Sequence, residues 1–218
     1  MKRSLYKIAK ENQAFLAFII LMSVFRSAVA DWNVVPTGSM QPTIVEGDRI
    51  FVNKIAYDVR VPFTHISLMR LSDPVRGDII VFDSKQSGKR LVKRVIGIPG
   101  DVIAMKHNVL TINGRELDYQ AVSASHEGTD KIEDLFGLKH LVKTKSRGIG
   151  FLSTFNPVSV PDGHYLVLGD NRDNSADSRV IGFIPRSEIV GRSRSVVMSL
   201  NYDNYFIPRG DRFFHSLQ

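Results

Sequence analysis

Short apolar runs, rich in valine and isoleucine, recur along the chain after Asp31 and are separated by glycine, proline, asparagine and aspartate. Runs of this length and composition favour β-strands, and the residues between them are typical of turns. The predicted strands are Arg49–Ile55, Asp78–Phe82, Arg90–Ile98, Val102–Met105, Val109–Ile112, Tyr165–Leu168 and Ser195–Leu200. Asn113-Gly114 predicts a tight hairpin that pairs Val109–Ile112 with Arg115–Tyr119. The chain is therefore predicted to be mainly β, with at most a helical turn or two at Lys131–His140.

The N-terminal segment departs from this strand pattern. Four of the first ten residues are basic: Lys2, Arg3, Lys7 and Lys10. A charge-free apolar run follows at 14–25 and extends to Ala30 if Arg26 snorkels at an interface. This length is at the lower edge of the roughly 17 to 25 residues that a spanning helix needs. The positive-inside rule then predicts a cytoplasmic segment at 1–13, one transmembrane anchor at 14–30, and export of everything that follows.

The same residues also fit a cleaved secretory signal peptide. Ala28-Val29-Ala30 before Asp31 has the small-x-small pattern of a cleavage site after a short apolar region. Arg26 is unusual between such a region and its cleavage site, which favours a retained anchor. Both interpretations place the rest of the chain outside the cytoplasm.

Composition limits the remaining possibilities. A chain of 218 residues is long enough for one sizeable domain with an insertion. We assign 31–119 and 161–218 to a β-domain, and 120–160 to an inserted lobe or loop, because that segment has fewer β-branched runs and many charges, glycines and serines. The absence of cysteine excludes disulfides and thiolate catalysis. The net charge of +7 favours nucleic acid or an anionic membrane surface as a neighbour.

The stretch Pro36-Thr37-Gly38-Ser39-Met40-Gln41-Pro42-Thr43 is a candidate nucleophile turn. Glycine and proline set a turn in which the Ser39 hydroxyl has little steric cover. An ordinary surface turn would have the same composition. A serine hydroxyl is a poor nucleophile until a base takes its proton, so the function of Ser39 depends on finding that base.

Histidine and lysine are the two candidate bases. His164 is the best placed of six histidines, but a hydrogen-bonded histidine at a strand edge explains it better. Lys93 lies inside an apolar strand run, on the face shared with Leu91 and Val95. Burial lowers a lysine pKa, and a decrease of about 3 from about 10.4 would leave much of the amine neutral near pH 7. An exposed strand lysine is the alternative for Lys93.

A polar cluster follows the predicted strand Tyr165–Leu168, at Gly169–Arg179. Its carboxylates do not have the spacing of a calcium loop. The arginines at 172 and 179 favour internal ion pairs and a rigid loop that could brace an active site. The sequence predicts no metal and no cofactor.

Taken in this order, these stretches closely resemble bacterial type I signal peptidase, a membrane-bound serine/lysine peptidase. The resemblance covers most of the chain. It lies in four blocks: Pro36–Asp48, Arg76–Phe82, Val92–Asp101 and Gly169–Arg179.

The resemblance implies a role for individual residues. Ser39 would attack the scissile carbonyl and Lys93 would act as general base, while Ser175 would hydrogen-bond and orient the lysine amine. The backbone N–H of Ser39 and the hydroxyl of Thr37 would form the oxyanion hole. The implied structural ion pairs are Asp170 with Arg94, and Asp177 with Arg179. The implied substrate-pocket residues are Val35, Met40, Ile44, Leu91 and Val92.

The resemblance thus implies a single-pass enzyme of the bacterial cytoplasmic membrane, with its N-terminus inside and its catalytic domain on the periplasmic side. It would cut signal-peptide-bearing preproteins after Ala-x-Ala, with membrane lipid and no nucleic acid among its partners. A dedicated maturation peptidase of a pilus or conjugation system is the alternative within the same chemistry. A membrane-tethered β-domain that binds anionic ligands without catalysis is the alternative outside it. A self-cleaving repressor is disfavoured because no DNA-reading helix-turn-helix is evident.

Overall fold

The computed structural model describes residues 10–64, 66–124, 128–145 and 150–217. The basic residues Lys2, Arg3 and Lys7 lie outside this part of the chain. The elements are α1 (Gln13–Ala28), β1 (Ala30–Val34), β2 (Asp48–Asn53), β3 (Asp58–Arg60), β4 (Ser67–Arg70), β5 (Ile79–Ser84), β6 (Lys89–Gly97), β7 (Val102–Lys106), β8 (Val109–Ile112), β9 (Arg115–Glu116), β10 (Asp118–Ala124), β11 (Thr129–Leu135), β12 (Leu138–Thr144), β13 (Phe155–Ser159), β14 (His164–Leu168), α2 (Ser178–Ile181), β15 (Ile184–Pro185), β16 (Ile189–Asn201) and β17 (Ile207–Pro208).

All seven strands predicted from the sequence are confirmed, and the fold is mainly antiparallel β. The Asn113-Gly114 hairpin is also present, with φ of 52° and 81° at its two residues. Its second strand is shorter than predicted, because β9 ends at Glu116 and β10 turns away to pair with β11.

The helical turn considered at Lys131–His140 is wrong. This stretch contains the end of β11, the start of β12 and the turn between them. Phe136 and Gly137 both have positive φ there, which reverses the chain between the two strands and is incompatible with a right-handed helix.

The central sheet has the strand order β1-β2-β16-β5-β6-β14-β15. Alternate residues of β5 point to opposite faces, so Ile79 and Val81 enter one apolar cluster while Ile80 and Phe82 enter another. Strand β6 lies between β5 and β14, deep in the sheet. A residue on β6 is therefore held by neighbours on both sides, which gives its side chain a fixed position.

Smaller sheets extend this core. Strands β13, β7, β8 and β9 form one, and β10, β11 and β12 form another that lies mostly within 120–160. Glu133 on β11 joins the second of these to the polar loop 169–179, because its carboxylate accepts a hydrogen bond of 2.7 Å from the Arg172 Nη2 and lies 2.6 Å from the Nη1 in the same ion pair. Both side chains are almost fully buried. Burial alone would raise the pKa of Glu133, but the Arg172 charge lowers it below its ordinary value.

Helix α1 contains 16 residues, and none of them is buried. Among the described residues, no helix combines the length and apolar character needed to cross a bilayer. Ala30, at the possible cleavage site, is the first residue of β1 and pairs with Asn53.

We predict that Glu133→Ala destabilises the fold by about 3 to 5 kcal/mol, because it leaves the buried Arg172 guanidinium without its counter-charge. Chemical denaturation would give the change in the free energy of unfolding. Arg70→Ala is the matched control, because it breaks an exposed arginine–aspartate pair and should leave the unfolding midpoint almost unchanged. Similar midpoints for the two variants would contradict the prediction.

Candidate active site

The Ser39 turn is a short 3-10 helix, Gly38–Met40, that follows extended backbone at Thr37. Buried apolar side chains anchor it on both sides, since Val35 and Met40 belong to the same apolar cluster. The Ile44 N–H also donates to the Met40 carbonyl at 2.9 Å. Ser39 itself remains partly exposed. The turn thus presents a serine hydroxyl from a backbone that is fixed at both ends.

Lys93 lies on β6 opposite Ile80, and its side chain is directed to this turn. Its Nζ is 2.6 Å from the Ser39 Oγ and 3.0 Å from the Val92 carbonyl oxygen. The residue is only 2% exposed. Burial lowers the pKa of Lys93 from 10.5 to about 8, although the negative charges of Asp177 and Asp170 act in the opposite direction. An amine with this pKa is neutral in roughly a tenth of the molecules at pH 7.

Gly169 brings the polar loop against the Ser39 turn. A Cβ at this position would lie 2.3 Å from the Ser175 Oγ and 2.4 Å from the Ser39 carbonyl oxygen. The Gly169 N–H donates to the Asp177 carboxylate at 2.9 Å. A side chain at 169 would therefore force the loop and the Ser39 turn apart.

Two arginine–aspartate pairs fix the surroundings of Lys93. Arg94 donates to both carboxylate oxygens of Asp170, at 2.9 and 2.8 Å, and both side chains are 1% exposed. Burial would raise the pKa of Asp170, but the charge and hydrogen bonds of Arg94 lower it. Arg179 likewise donates to both carboxylate oxygens of Asp177, at 2.8 and 2.7 Å. Such bidentate pairs restrict orientation as well as distance.

Ser175 differs from its predicted arrangement. Its hydroxyl is buried but makes no hydrogen bond to any described residue, and thus none to Lys93. The lysine amine instead contacts the Ser39 hydroxyl and the carbonyl of its own neighbour Val92. Ser175 is nevertheless close to the nucleophile turn, because its Oγ and the Ser39 carbonyl oxygen both lie over Gly169.

A cleft of about 430 Å³ opens beside Ser39 and Lys93. Of the predicted pocket residues, four line it: Val35, Met40, Leu91 and Val92. Thr37 also lines the cleft, and it is exposed. Ile44 is not one of the lining residues, because it is fully buried in the apolar cluster that contains Val35 and Met40. A second cavity of about 520 Å³ lies beside Thr43 and His140, and neither Ser39 nor Lys93 lines it.

Two contacts at the site were not predicted. The Thr43 hydroxyl donates to Asp170 at 2.6 Å, and the Asn171 side chain donates to the Gly38 carbonyl at 3.0 Å. Asn171 and Gly38 are 133 residues apart in the chain. Both polar residues belong to stretches that the sequence singled out, but residue spacing within one chain does not indicate which distant groups meet.

Comparisons with known proteins agree with one family. Residues 8–198 match the family described as signal peptidase, peptidase S26. Signal peptidase I of Pseudomonas aeruginosa is 33% identical over 209 residues, which cover 88% of this chain and 73% of that protein. Signal peptidase I of Bacillus licheniformis is 30% identical over 201 residues, which cover 92% of each chain.

A crystal structure of a signal peptidase I from Enterococcus faecalis is 30% identical, with a TM-score of 0.37 over 56% of this chain and 97% of that one. The assignment rests on the sequence matches. The chain belongs to the signal peptidase family, peptidase S26, and is a serine peptidase.

Proposed function

We propose that this peptidase removes N-terminal signal peptides from exported preproteins, with Ser39 as nucleophile and Lys93 as general base. The observation that carries the proposal is the 2.6 Å contact between the Lys93 Nζ and the Ser39 Oγ. Because Lys93 is buried and its pKa is lowered to about 8, the amine can be neutral when it meets the hydroxyl. A neutral amine accepts a proton that an ammonium group cannot.

The proposed reaction has two stages. As the Ser39 Oγ attacks the scissile carbonyl, Lys93 takes its proton and then gives that proton to the departing amine. A water, activated by the same lysine, next hydrolyses the acyl-enzyme. The Ser39 N–H and the Thr37 hydroxyl would stabilise the oxyanion in both stages.

Ser175 keeps a proposed role in orienting the lysine amine. Its buried hydroxyl has no partner among the described residues, so it is available to accept a hydrogen bond when Lys93 becomes an ammonium. The Asp177 carboxylate connects the surrounding loop to Arg179 and to the Gly169 N–H. The loop would thus hold Ser175 in place through the catalytic cycle.

The cleft supports specificity for small side chains. Apolar residues that line it include Val34 at the end of β1, Leu91 on β6 and the buried Met40. An extended peptide in this cleft would place its side chains against these apolar groups. The apolar lining is consistent with alanine at the first and third residues before the cut, as the family resemblance implies.

We also propose that α1 anchors the enzyme in the bacterial cytoplasmic membrane, with the N-terminus inside and the catalytic domain on the periplasmic side. The apolar side chains of the helix, among them Phe15, Ile20 and Leu21, are exposed. At about 1.5 Å per residue, 16 residues extend about 24 Å, whereas the hydrocarbon core is about 30 Å thick. Arg26 would therefore lie at the interface, where its guanidinium is 4.3 Å from the Trp32 ring.

Exposed apolar residues of the catalytic domain support a position at the membrane surface. Phe63, whose N–H donates to the Ser27 hydroxyl, lies between the paired strands β3 and β4 and is 70% exposed. Leu68 on β4 is 67% exposed. Phe214 in the C-terminal segment is 80% exposed. Aromatic and apolar side chains near the end of a membrane helix are typical of contact with lipid.

We predict that Ser39→Ala and Lys93→Met each abolish cleavage of a precursor that carries Ala-x-Ala, because the first removes the nucleophile and the second removes its base. The assay is mature-protein release by the detergent-solubilised enzyme, measured by electrophoresis. A panel of unrelated precursors would be included, since a dedicated maturation peptidase would cut one and leave the others intact. Wild-type cleavage rates for Lys93→Met would refute the proposed base.

We predict that kcat/KM rises with pH and reaches half of its maximum near pH 8. The base form of Lys93 is required, and below pKa 8 each pH unit lowers its fraction about tenfold. Initial rates from pH 5 to 10, corrected for enzyme stability, would give the profile. A flat profile from pH 5 to 9 would exclude Lys93 as the titrating base.

Lys93→Met should stabilise the fold near neutral pH, although it inactivates the enzyme. The lowering of the lysine pKa from 10.5 to about 8 corresponds to about 3 kcal/mol, partly offset in the variant by lost hydrogen bonds worth about 1 kcal/mol each. Below pH 8 this penalty on the wild type is complete. As pH rises from 8 to 10.5, the unfolded chain binds more protons than the folded one, so the wild type gains stability and the advantage of the variant disappears.

Chemical denaturation of both proteins at pH 7 and pH 10.5 measures this difference. Lys106→Met, on an exposed lysine, is the control for loss of a surface charge. An advantage of Lys93→Met that does not change with pH would contradict the prediction.

A further inference from the structure

Asn171 makes two hydrogen bonds to the nucleophile turn. Its side-chain Nδ2 donates to the Gly38 carbonyl at 3.0 Å, and its backbone N–H donates to the Ser39 carbonyl at 3.1 Å. These two carbonyls belong to the peptide units on either side of the Ser39 Cα. Asn171 is 8% exposed, so both contacts are shielded from water. One residue thus fixes the two peptide planes that flank the nucleophile.

The Gly38 carbonyl belongs to the same peptide unit as the Ser39 N–H. In a planar trans peptide, the C=O and N–H bonds point in opposite directions, and the Gly38–Ser39 bond is trans. The Gln41 N–H also donates to this carbonyl, at 3.1 Å, within the turn itself. The Asn171 amide is the contact that comes from outside the turn, and it determines how the whole plane is rotated relative to the loop.

The loop that carries Asn171 is itself fixed by β12. The Lys143 N–H donates to the Asp170 carbonyl, and the Arg172 N–H donates to the Lys143 carbonyl, both at 2.8 Å. The Asp170 side chain is held by Arg94, the residue after Lys93. Asn171 is therefore held by β12 and, through Asp170 and Arg94, by β6, the strand that carries Lys93.

We propose that Asn171 is a positioning residue for the oxyanion hole: its amide holds the Gly38 carbonyl so that the Ser39 N–H points at the developing oxyanion. This inference rests on the proposed function, in which that N–H is a donor. The role acts on the transition state, since a tilted peptide plane weakens a hydrogen bond that forms only as the carbonyl becomes tetrahedral. It does not require Asn171 to touch the substrate.

The test compares Asn171→Ala and Asn171→Asp with the wild type, in precursor cleavage and in inhibitor binding. The aspartate would place a carboxylate oxygen against the Gly38 carbonyl. We expect kcat to fall about tenfold to a hundredfold with KM nearly unchanged, less than the loss on deleting a donor outright. For Asn171→Ala, the pH for half-maximal activity should stay where it is in the wild type, because this substitution adds no charge near the Lys93 amine.

Two peptides that end in Ala-x-Ala distinguish a misdirected Ser39 N–H from a general loosening of the active site. In the C-terminal aldehyde, the Ser39 Oγ bonds to the aldehyde carbon and the hydroxyl proton passes to the former carbonyl oxygen, which gives a tetrahedral hemiacetal. The matching C-terminal alcohol binds without a covalent bond. Affinity for the aldehyde should fall in parallel with kcat, whereas affinity for the alcohol should not change. Equal losses for both peptides would overturn the proposal.

Asn108→Ala is the matched control. The Asn108 amide donates to Asp173, at 3.1 and 2.9 Å, and so braces the same loop without contacting the Ser39 turn. This variant should lower the melting temperature but keep the wild-type ratio of aldehyde to alcohol affinity. If it changes that ratio as Asn171→Ala does, loop rigidity explains the effect and the proposal is wrong.

Asn171→Ser is the substitute if Asn171→Ala does not fold, because its hydroxyl is too short to reach the Gly38 carbonyl. Failure of the wild type to cut any precursor would refute the proposed function. Wild-type kcat in a folded Asn171 variant, with Ser39→Ala inactive, would refute this inference alone.

Discussion

The site depends on an amine that is kept out of water next to a hydroxyl. Lys93 is almost completely buried, and that burial, more than any nearby charge, lowers its pKa. A buried ammonium is unfavourable, so the position is retained at the expense of stability. On the same face of β6, Val95 is buried in an apolar cluster and Leu91 packs against that cluster. A lysine exposed to water at this position would have an ordinary pKa and would be protonated at neutral pH.

The charged residues around the site are balanced in pairs, which allows the amine to remain the group that changes charge. Arg94 is neutralised by Asp170, Arg179 by Asp177, and the more distant Arg172 by Glu133. Breaking a buried pair by removing one partner is strongly unfavourable, whereas an intact pair adds little net stability. The main effect of these pairs is therefore to fix the positions of the side chains and loop around the site. Pairs with Arg94 and Glu133, which lie outside the loop 169–179, hold that loop against β6 and β11.

The strand pattern and the two chemical groups could be predicted from sequence, because strands have a short local signature and because a serine turn and an embedded lysine are recognisable alone. The contacts between distant stretches could not. Nothing in the spacing of Thr43, Asn171 or Glu133 indicates a partner, since each pairs with a residue far along the chain. Packing likewise decides that Ile44 is buried in an apolar cluster and does not line the cleft. It also decides that the Lys93 amine contacts the Val92 carbonyl and not the Ser175 hydroxyl.

The contact between Asn171 and the Ser39 turn has a consequence for how the site forms. Ser39, Lys93 and the loop 169–179 come from three distant stretches of the chain, and the central sheet brings them together. Contacts with such large sequence separation require long loops to close, which costs conformational entropy before the contacts can contribute any stability. A chain whose central sheet has not formed would thus hold Ser39 apart from Lys93, so the close pairing of hydroxyl and amine belongs to the folded protein alone.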